Sequence, residues 1–219
     1  MEPRTLASPR LQRLAQRSSA AHEEALEQCE LCGRPIPTEH RHVLELENRN
    51  LLCACRACAL LFDRRAAGGG RWRLVPERRL RLDDFEMPDD LWERLAIPVD
   101  MAFFFDNTSV GRVVAYYPSP MGPTESQLEL HAWDELEDAN EVLRTLEPDV
   151  EALLVNRARG RRRTWLVPIE DCYALVAVIR TRWRGFSGGR EVWEELERFY
   201  AELDRKSRRA PAGAAERRS

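Results

Sequence analysis

Apolar and polar residues alternate at period two in 72–75 and 79–82, which predicts two short strands. The densest apolar runs, 99–105 and 110–117, flank the turn-forming Asp106-Asn107-Thr108-Ser109 and predict a hairpin. Leu128, Leu130 and Ala132 extend the pattern into a third strand, and 150–155 and 164–167 read as two more, joined by an arginine-rich turn. Helices are predicted at 89–95 behind Pro88, at 140–146, and from Pro168 onward, where Glu170 and Asp171 supply the acidic first turn. The stretch 172–183 continues that helix, with a strand as the alternative because of its β-branched residues. Val192, Trp193, Leu196, Phe199, Tyr200 and Leu203 repeat at helical spacing behind a Ser187 cap.

These elements make an α+β protein: an antiparallel sheet with packed helices, following a small N-terminal module. Residues 1–28 permit a short helix through Leu11, Leu14 and 21–26; the module occupies 29–65 and ends before the breaker Ala66-Ala67-Gly68-Gly69-Gly70. The main domain runs over 71–206, and 207–219 is expected to be a disordered tail. A chain of 219 residues buries about 70% of its unfolded surface, so any metal it holds reinforces a local structure or serves a function.

The module carries the strongest chemical signal. Five of the six cysteines fall in Cys29-Glu30-Leu31-Cys32-Gly33 and Cys53-Ala54-Cys55-Arg56-Ala57-Cys58, separated by a segment in which 42–46 and 50–53 pair as strands around 47–49. A two-residue gap lets two thiolates from one tight turn face a single cation, and two such turns complete a tetrahedral shell. Cys29, Cys32, Cys55 and Cys58 are therefore the expected ligands of a structural zinc. Iron is the alternative, since rubredoxin also uses two such knuckles, although Arg56-Ala57 stands where rubredoxin usually has a proline. Knuckle, hairpin and a short helix through 59–62 resemble a treble clef, with the zinc ribbon as the near alternative.

His40 and His42 lie at strand spacing and point to one face. With Cys53 they are candidates for an additional metal site or for groups that hydrogen-bond the metal's ligands. This pair also resembles the histidines of an HNH nuclease, but Ala59 follows the second knuckle where that family usually supplies another histidine. Cys172 stands alone in an apolar stretch and reads as core.

The charge balance of −3 gives no overall attraction to nucleic acid or anionic lipid. The concentrated basic patch is Arg157, Arg159, Arg161, Arg162 and Arg163, a candidate for partner or anion binding; Arg184, Ser187, Gly188 and Gly189 form a second candidate at a helix start. Residues 1–28 hold no uninterrupted apolar segment long enough for a signal peptide or a membrane span, so export is not expected, and cysteines at knuckle spacing fit a reducing, cytoplasmic compartment.

The segments 29–33, 51–62 and Arg182-Trp183-Arg184-Gly185-Phe186-Ser187-Gly188-Gly189 resemble an uncharacterised bacterial family across roughly 25–206. Its members look like products encoded beside nickel-iron hydrogenase genes. The resemblance implies an accessory role in assembly or electron delivery; taken with the closed thiolate shell, the leading expectation is a non-enzymatic zinc-binding accessory or interaction protein, its partner a hydrogenase or the maturation machinery of one. The alternatives are rubredoxin-like electron transfer and HNH-like nucleic-acid binding.

Overall fold

The apolar runs of the sequence become the middle of a sheet that is covered on both faces. In the computed structural model, which describes residues 27–62, 70–126, 130–185 and 188–210, the elements in chain order are β1 (Arg41–Glu45), β2 (Leu51–Ala54), α1 (Arg56–Leu60), β3 (Trp72–Leu74), β4 (Leu80–Arg81), α2 (Asp89–Arg94), β5 (Met101–Asn107), β6 (Arg112–Ser119), β7 (Gly122–Ser126), α3 (Leu130–Ala139), β8 (Glu151–Asn156), β9 (Arg163–Pro168), α4 (Ile169–Arg182), α5 (Gly189–Lys206) and β10 (Arg208–Arg209). The large sheet has the order β10-β4-β9-β8-β5-β6-β7 and is antiparallel except where β10 joins β4.

Side chains alternate across a strand, so one run serves two cores. Met101, Phe103 and Phe105 of β5, Ala152 and Leu154 of β8, and Trp165 and Val167 of β9 face α4 and α5. Ala102, Phe104, Leu153, Val155 and Leu166 face the other way, onto Leu91 and Trp92 of α2 and Ala132, Trp133 and Leu136 of α3. At about 1.5–3 kcal/mol for each large side chain removed from water, these two layers supply most of the drive to fold. Helix α5 contributes Val192, Leu196, Tyr200 and Leu203 as one stripe. Its start requires glycine: Gly188 has φ +85°, and a Cβ there would lie 2.9 Å from Val192 Cγ1 and 3.1 Å from the Trp183 ring.

A second sheet, β2-β1-β3, carries the cysteine module. On one face of β1, Val43 packs with Ala54, Ala59, Phe62 and Trp72. On the other, Leu44 belongs to the same core as Phe103, Phe105 and Leu154, with Leu46 and Leu51 packed against it. The module is thus separate in topology and continuous with the larger domain in packing. Asp149, fully buried, fastens the seam: its carboxylate accepts from Arg49 Nη1 at 3.0 Å, Thr108 N at 3.0 Å and Thr108 Oγ1 at 2.6 Å. Arg49 also lies 4.6 Å from the Phe105 ring centre.

Three expectations change. Leu130 and Ala132 begin a helix, because Ala132, Trp133 and Leu136 form a helical stripe; the strand after the β5–β6 hairpin is instead β7, over Gly122–Ser126. The reversal between β5 and β6 sits at 108–111, so Val110 is in the turn and exposed. Residues 208–209, expected in a disordered tail, pair with β4 through backbone hydrogen bonds from Arg208 N to Arg79 O and from Ala210 N to Arg81 O. The N-terminal helix through 21–26, the Ala66–Gly69 part of the breaker, Leu128, the Ser187 cap and residues 211–219 lie outside the described residues.

Candidate metal centre

Each cysteine pair is set by its own local structure. In the first knuckle, Cys32 N and Gly33 N both donate to Cys29 O, at 3.3 and 2.7 Å, and Cys29 N donates to Arg34 O at 2.8 Å. This tight reversal places Gly33 at φ +70°, a conformation open to glycine without penalty. In the second, Cys55 is the N-cap of α1, and its Sγ accepts from Cys58 N at 3.4 Å. The knuckles are tied together by Glu30 N donating to Cys53 O at 2.9 Å and by Cys53 N donating to Glu30 Oε2 at 2.6 Å.

The result is convergence: the sulfurs of Cys29, Cys32, Cys55 and Cys58 all lie within 4.8 Å of one another. Cys32 Sγ and Cys55 Sγ are 3.8 Å apart. A tetrahedron of zinc–sulfur bonds near 2.3 Å has edges of about 3.8 Å, so this separation needs no rearrangement to accept a cation of that size.

Electrostatics favours a cation as well. Burial raises the Cys29 thiol, but backbone N–H groups of Cys55, Leu31 and Cys32 outweigh it and bring the pKa down to about 6. The Cys58 N–H holds Cys55 below its ordinary value, whereas the adjacent Cys32 thiol and then burial push Cys58 up to about 12. Four sulfurs this close ionise together only with positive charge among them. The donor set and geometry therefore fit one metal ion.

A family model described as a family of unknown function (DUF5947) matches residues 28–207, from the residue before Cys29 to the C-cap of α5. The chain belongs to this family. No curated protein and no solved structure matches it. Among the described residues of this DUF5947 member, no helix is long and apolar enough to cross a membrane.

The remaining candidates separate into two groups. His40, His42 and Cys53 come together, each offering a donor atom within 4.8 Å of the others. Burial pushes the Cys53 thiol up. His42 is held above its ordinary value chiefly by a hydrogen bond to Glu170 Oε2 at 2.7 Å. Burial opposes ionisation of Glu170, yet His42 and Arg79 outweigh it and hold that carboxyl below its usual range. Cys172 is fully buried, as expected for a core residue, and burial raises its thiol far above the ordinary value.

The arginine turn is stitched to the rest of the chain. All five side chains are engaged within the chain: Arg157 and Arg162 with Asp89, Arg159 and Arg161 with Glu197, and Arg163 with Asp204. Arg157 also lies over Trp92 and Arg159 over Trp193. Carboxylates distant in sequence thus fold onto the turn, so an anion or partner binding there meets arginines that are already paired. At the second candidate anion site, Arg184 N donates to Gly188 O at 3.0 Å and its Nη1 to Trp183 O at 2.9 Å. Gly188 and Gly189 are accounted for by the turn into α5, and Ser187 lies outside the described residues. The sequence marks Glu170 only as part of an acidic helix start, and nothing local singles out Asp149.

Proposed function

We propose that this DUF5947 protein is a zinc-binding accessory factor that docks a protein partner on the surface built by its four-cysteine cluster. The observation that supports this is the closed shell of Cys29, Cys32, Cys55 and Cys58. A cation with four thiolates has no open position for substrate, so it shapes a surface and does not act there as a Lewis acid. That surface includes α1, whose Leu60 and its neighbour Leu61 are 65% and 62% exposed. Leu60 lines a groove of about 900 Å³ together with Ile36, Pro37, His40, Cys55 and Glu77. Zinc is preferred over iron because the second knuckle lacks the proline that rubredoxin usually has. The hydrogenase association implied by the family resemblance names the first partner to test: a nickel-iron hydrogenase or one of its maturation proteins.

The experiment has two arms. Protein purified under reducing conditions is subjected to elemental analysis and absorption spectroscopy, with a colourless zinc protein expected and a visible iron–thiolate spectrum supporting electron transfer instead. Binding to a purified hydrogenase large subunit is then measured by calorimetry for the unaltered protein and for Leu60→Ser with Leu61→Ser. Equal binding by both, or none by either, sinks the docking role. Metal-dependent cleavage of DNA by the unaltered protein revives the nuclease alternative.

A further inference from the structure

The β1–β2 register places His42 directly opposite Cys53, and His40 lies two residues before His42, so the three side chains share the face turned toward α4. Their donor atoms lie within 4.8 Å of one another. Each imidazole is oriented through Nδ1. His40 Nδ1 is 3.0 Å from Pro37 O, a carbonyl that only accepts, and 3.2 Å from Glu27 Oε2. His42 Nδ1 donates to Glu170 Oε2, whose other oxygen accepts from Arg79 Nη2 at 3.0 Å. Both rings are thereby fixed with Nε2 as the remaining donor atom, the arrangement in which a metal-ligating histidine hands its other N–H to an oxygen acceptor. A further observation points to a ligand: the His40 side chain is 7% exposed and its Nε2 is buried without a hydrogen-bond partner.

We infer that His40, His42 and Cys53 form a second metal site, separate from the four-cysteine cluster, for a borderline divalent cation of the zinc class. Two imidazoles and a thiolate suit that class. Three protein donors leave one tetrahedral position for water or for a donor from a bound partner, unlike the closed shell beside it. The site lies on the seam between the module and the main domain, since Glu170 and Arg79 belong to the latter. Arg79 also grips Asp171 through Nε at 2.7 Å. Filling the site therefore stiffens the junction as well as presenting a reactive coordination position.

The test uses the full chain loaded with ¹¹³Cd²⁺ under reducing conditions, together with zinc stoichiometry by equilibrium dialysis. Two cadmium resonances are expected, one from four thiolates and one shifted well away from it by two nitrogens and one sulfur, with two equivalents of zinc bound. His40→Ala and Cys53→Ser each remove the second resonance and one equivalent; the surviving four-thiolate signal reports that the knuckles still fold. Glu170→Ala lowers second-site affinity about 10- to 100-fold without moving the four-thiolate signal. One resonance and one equivalent in the unaltered protein overturn the site, as does retention of two equivalents by the His40→Ala, Cys53→Ser double variant. Loss of the four-thiolate signal instead would be a failure of the first site alone.

Discussion

Replacing Asp149 by alanine tests whether the metal module and the sheet domain are one cooperative body. The carboxylate is fully buried and accepts three hydrogen bonds, from Arg49 and from the backbone and side chain of Thr108. Deleting it leaves the Arg49 guanidinium, 21% exposed, without its counter-charge, and breaking such a buried pair costs about 3–5 kcal/mol. Asp149 also sits at φ +68°, where alanine adds strain of about 1 kcal/mol. The expected loss is thus about 4–6 kcal/mol, a large part of the 5–15 kcal/mol typical of a domain. Asp149→Asn, which tolerates that backbone and keeps an acceptor for Thr108, loses roughly half as much. Urea unfolding of metal-loaded protein, followed by tryptophan fluorescence, reads the change, and hydrogen exchange locates it. A single transition is expected, with protection lost from both 41–54 and 101–119. A loss below about 1 kcal/mol, or one confined to 41–54, would refute the argument that Asp149 couples the two parts.

Cys55→Ser removes one of four thiolates and breaks the cap of α1, so one metal equivalent and the exchange protection of 27–33 and 53–60 should disappear while β5, β6 and β8 stay protected; global loss of protection would contradict a local role. Gly188→Ala forces a Cβ against Val192 and Trp183 at a left-handed position, which should cost about 1–3 kcal/mol in thermal unfolding, and an unchanged melting temperature would count against the close approach. Asp83, held down to about 2 chiefly by its hydrogen bonds to Arg81 and Arg209, stabilises the folded state above its unfolded value near 3.9, and that contribution is lost as pH falls through about 2. A carboxyl-carbon titration with a midpoint near 3.8 would show that the β10 ion pair is not formed. Arg159→Ala with Arg161→Ala breaks exposed pairs with Glu197 and the contact of Arg159 over Trp193, and should lower stability by no more than about 2 kcal/mol by chemical denaturation.

What the sequence disclosed depended on how local the cause was. β5, β8 and β9 were legible because burial on both faces makes their central positions continuously apolar, as in Ala102-Phe103-Phe104-Phe105 and Ala152-Leu153-Leu154-Val155. The cysteine pairs were legible because a two-residue gap is itself the geometry. β7 was hidden by Gly122 and Pro123, residue types disfavoured inside strands, and α3 was masked by a short coincidence of period two at Leu128, Leu130 and Ala132. β10 could not be read at all: Arg208 and Arg209 are exposed, and their pairing is made by the backbone. At the candidate site, His40 and His42 could be placed on one face, but their alignment with Cys53 depends on the hairpin register, and Glu170 arrives from 128 residues away. The same distance effect hid the partners of the arginine turn, Asp89, Glu197 and Asp204, which no local pattern predicts.

The shared core of Leu44 has a consequence for the order in which the protein is made. The hairpin leaves the ribosome well before Leu154 and Val176, which lie in the same core as Leu44. At synthesis rates of 5–20 residues per second, the delay from residue 54 to residue 176 is roughly 6–24 s. Until residue 176 is made that core is incomplete, whereas both knuckles are complete once Cys58 is made. A cation captured then would hold β1 and β2 in register until their partner surface emerges, and metal supply during translation would set how long a nascent apolar edge stays open to misassembly.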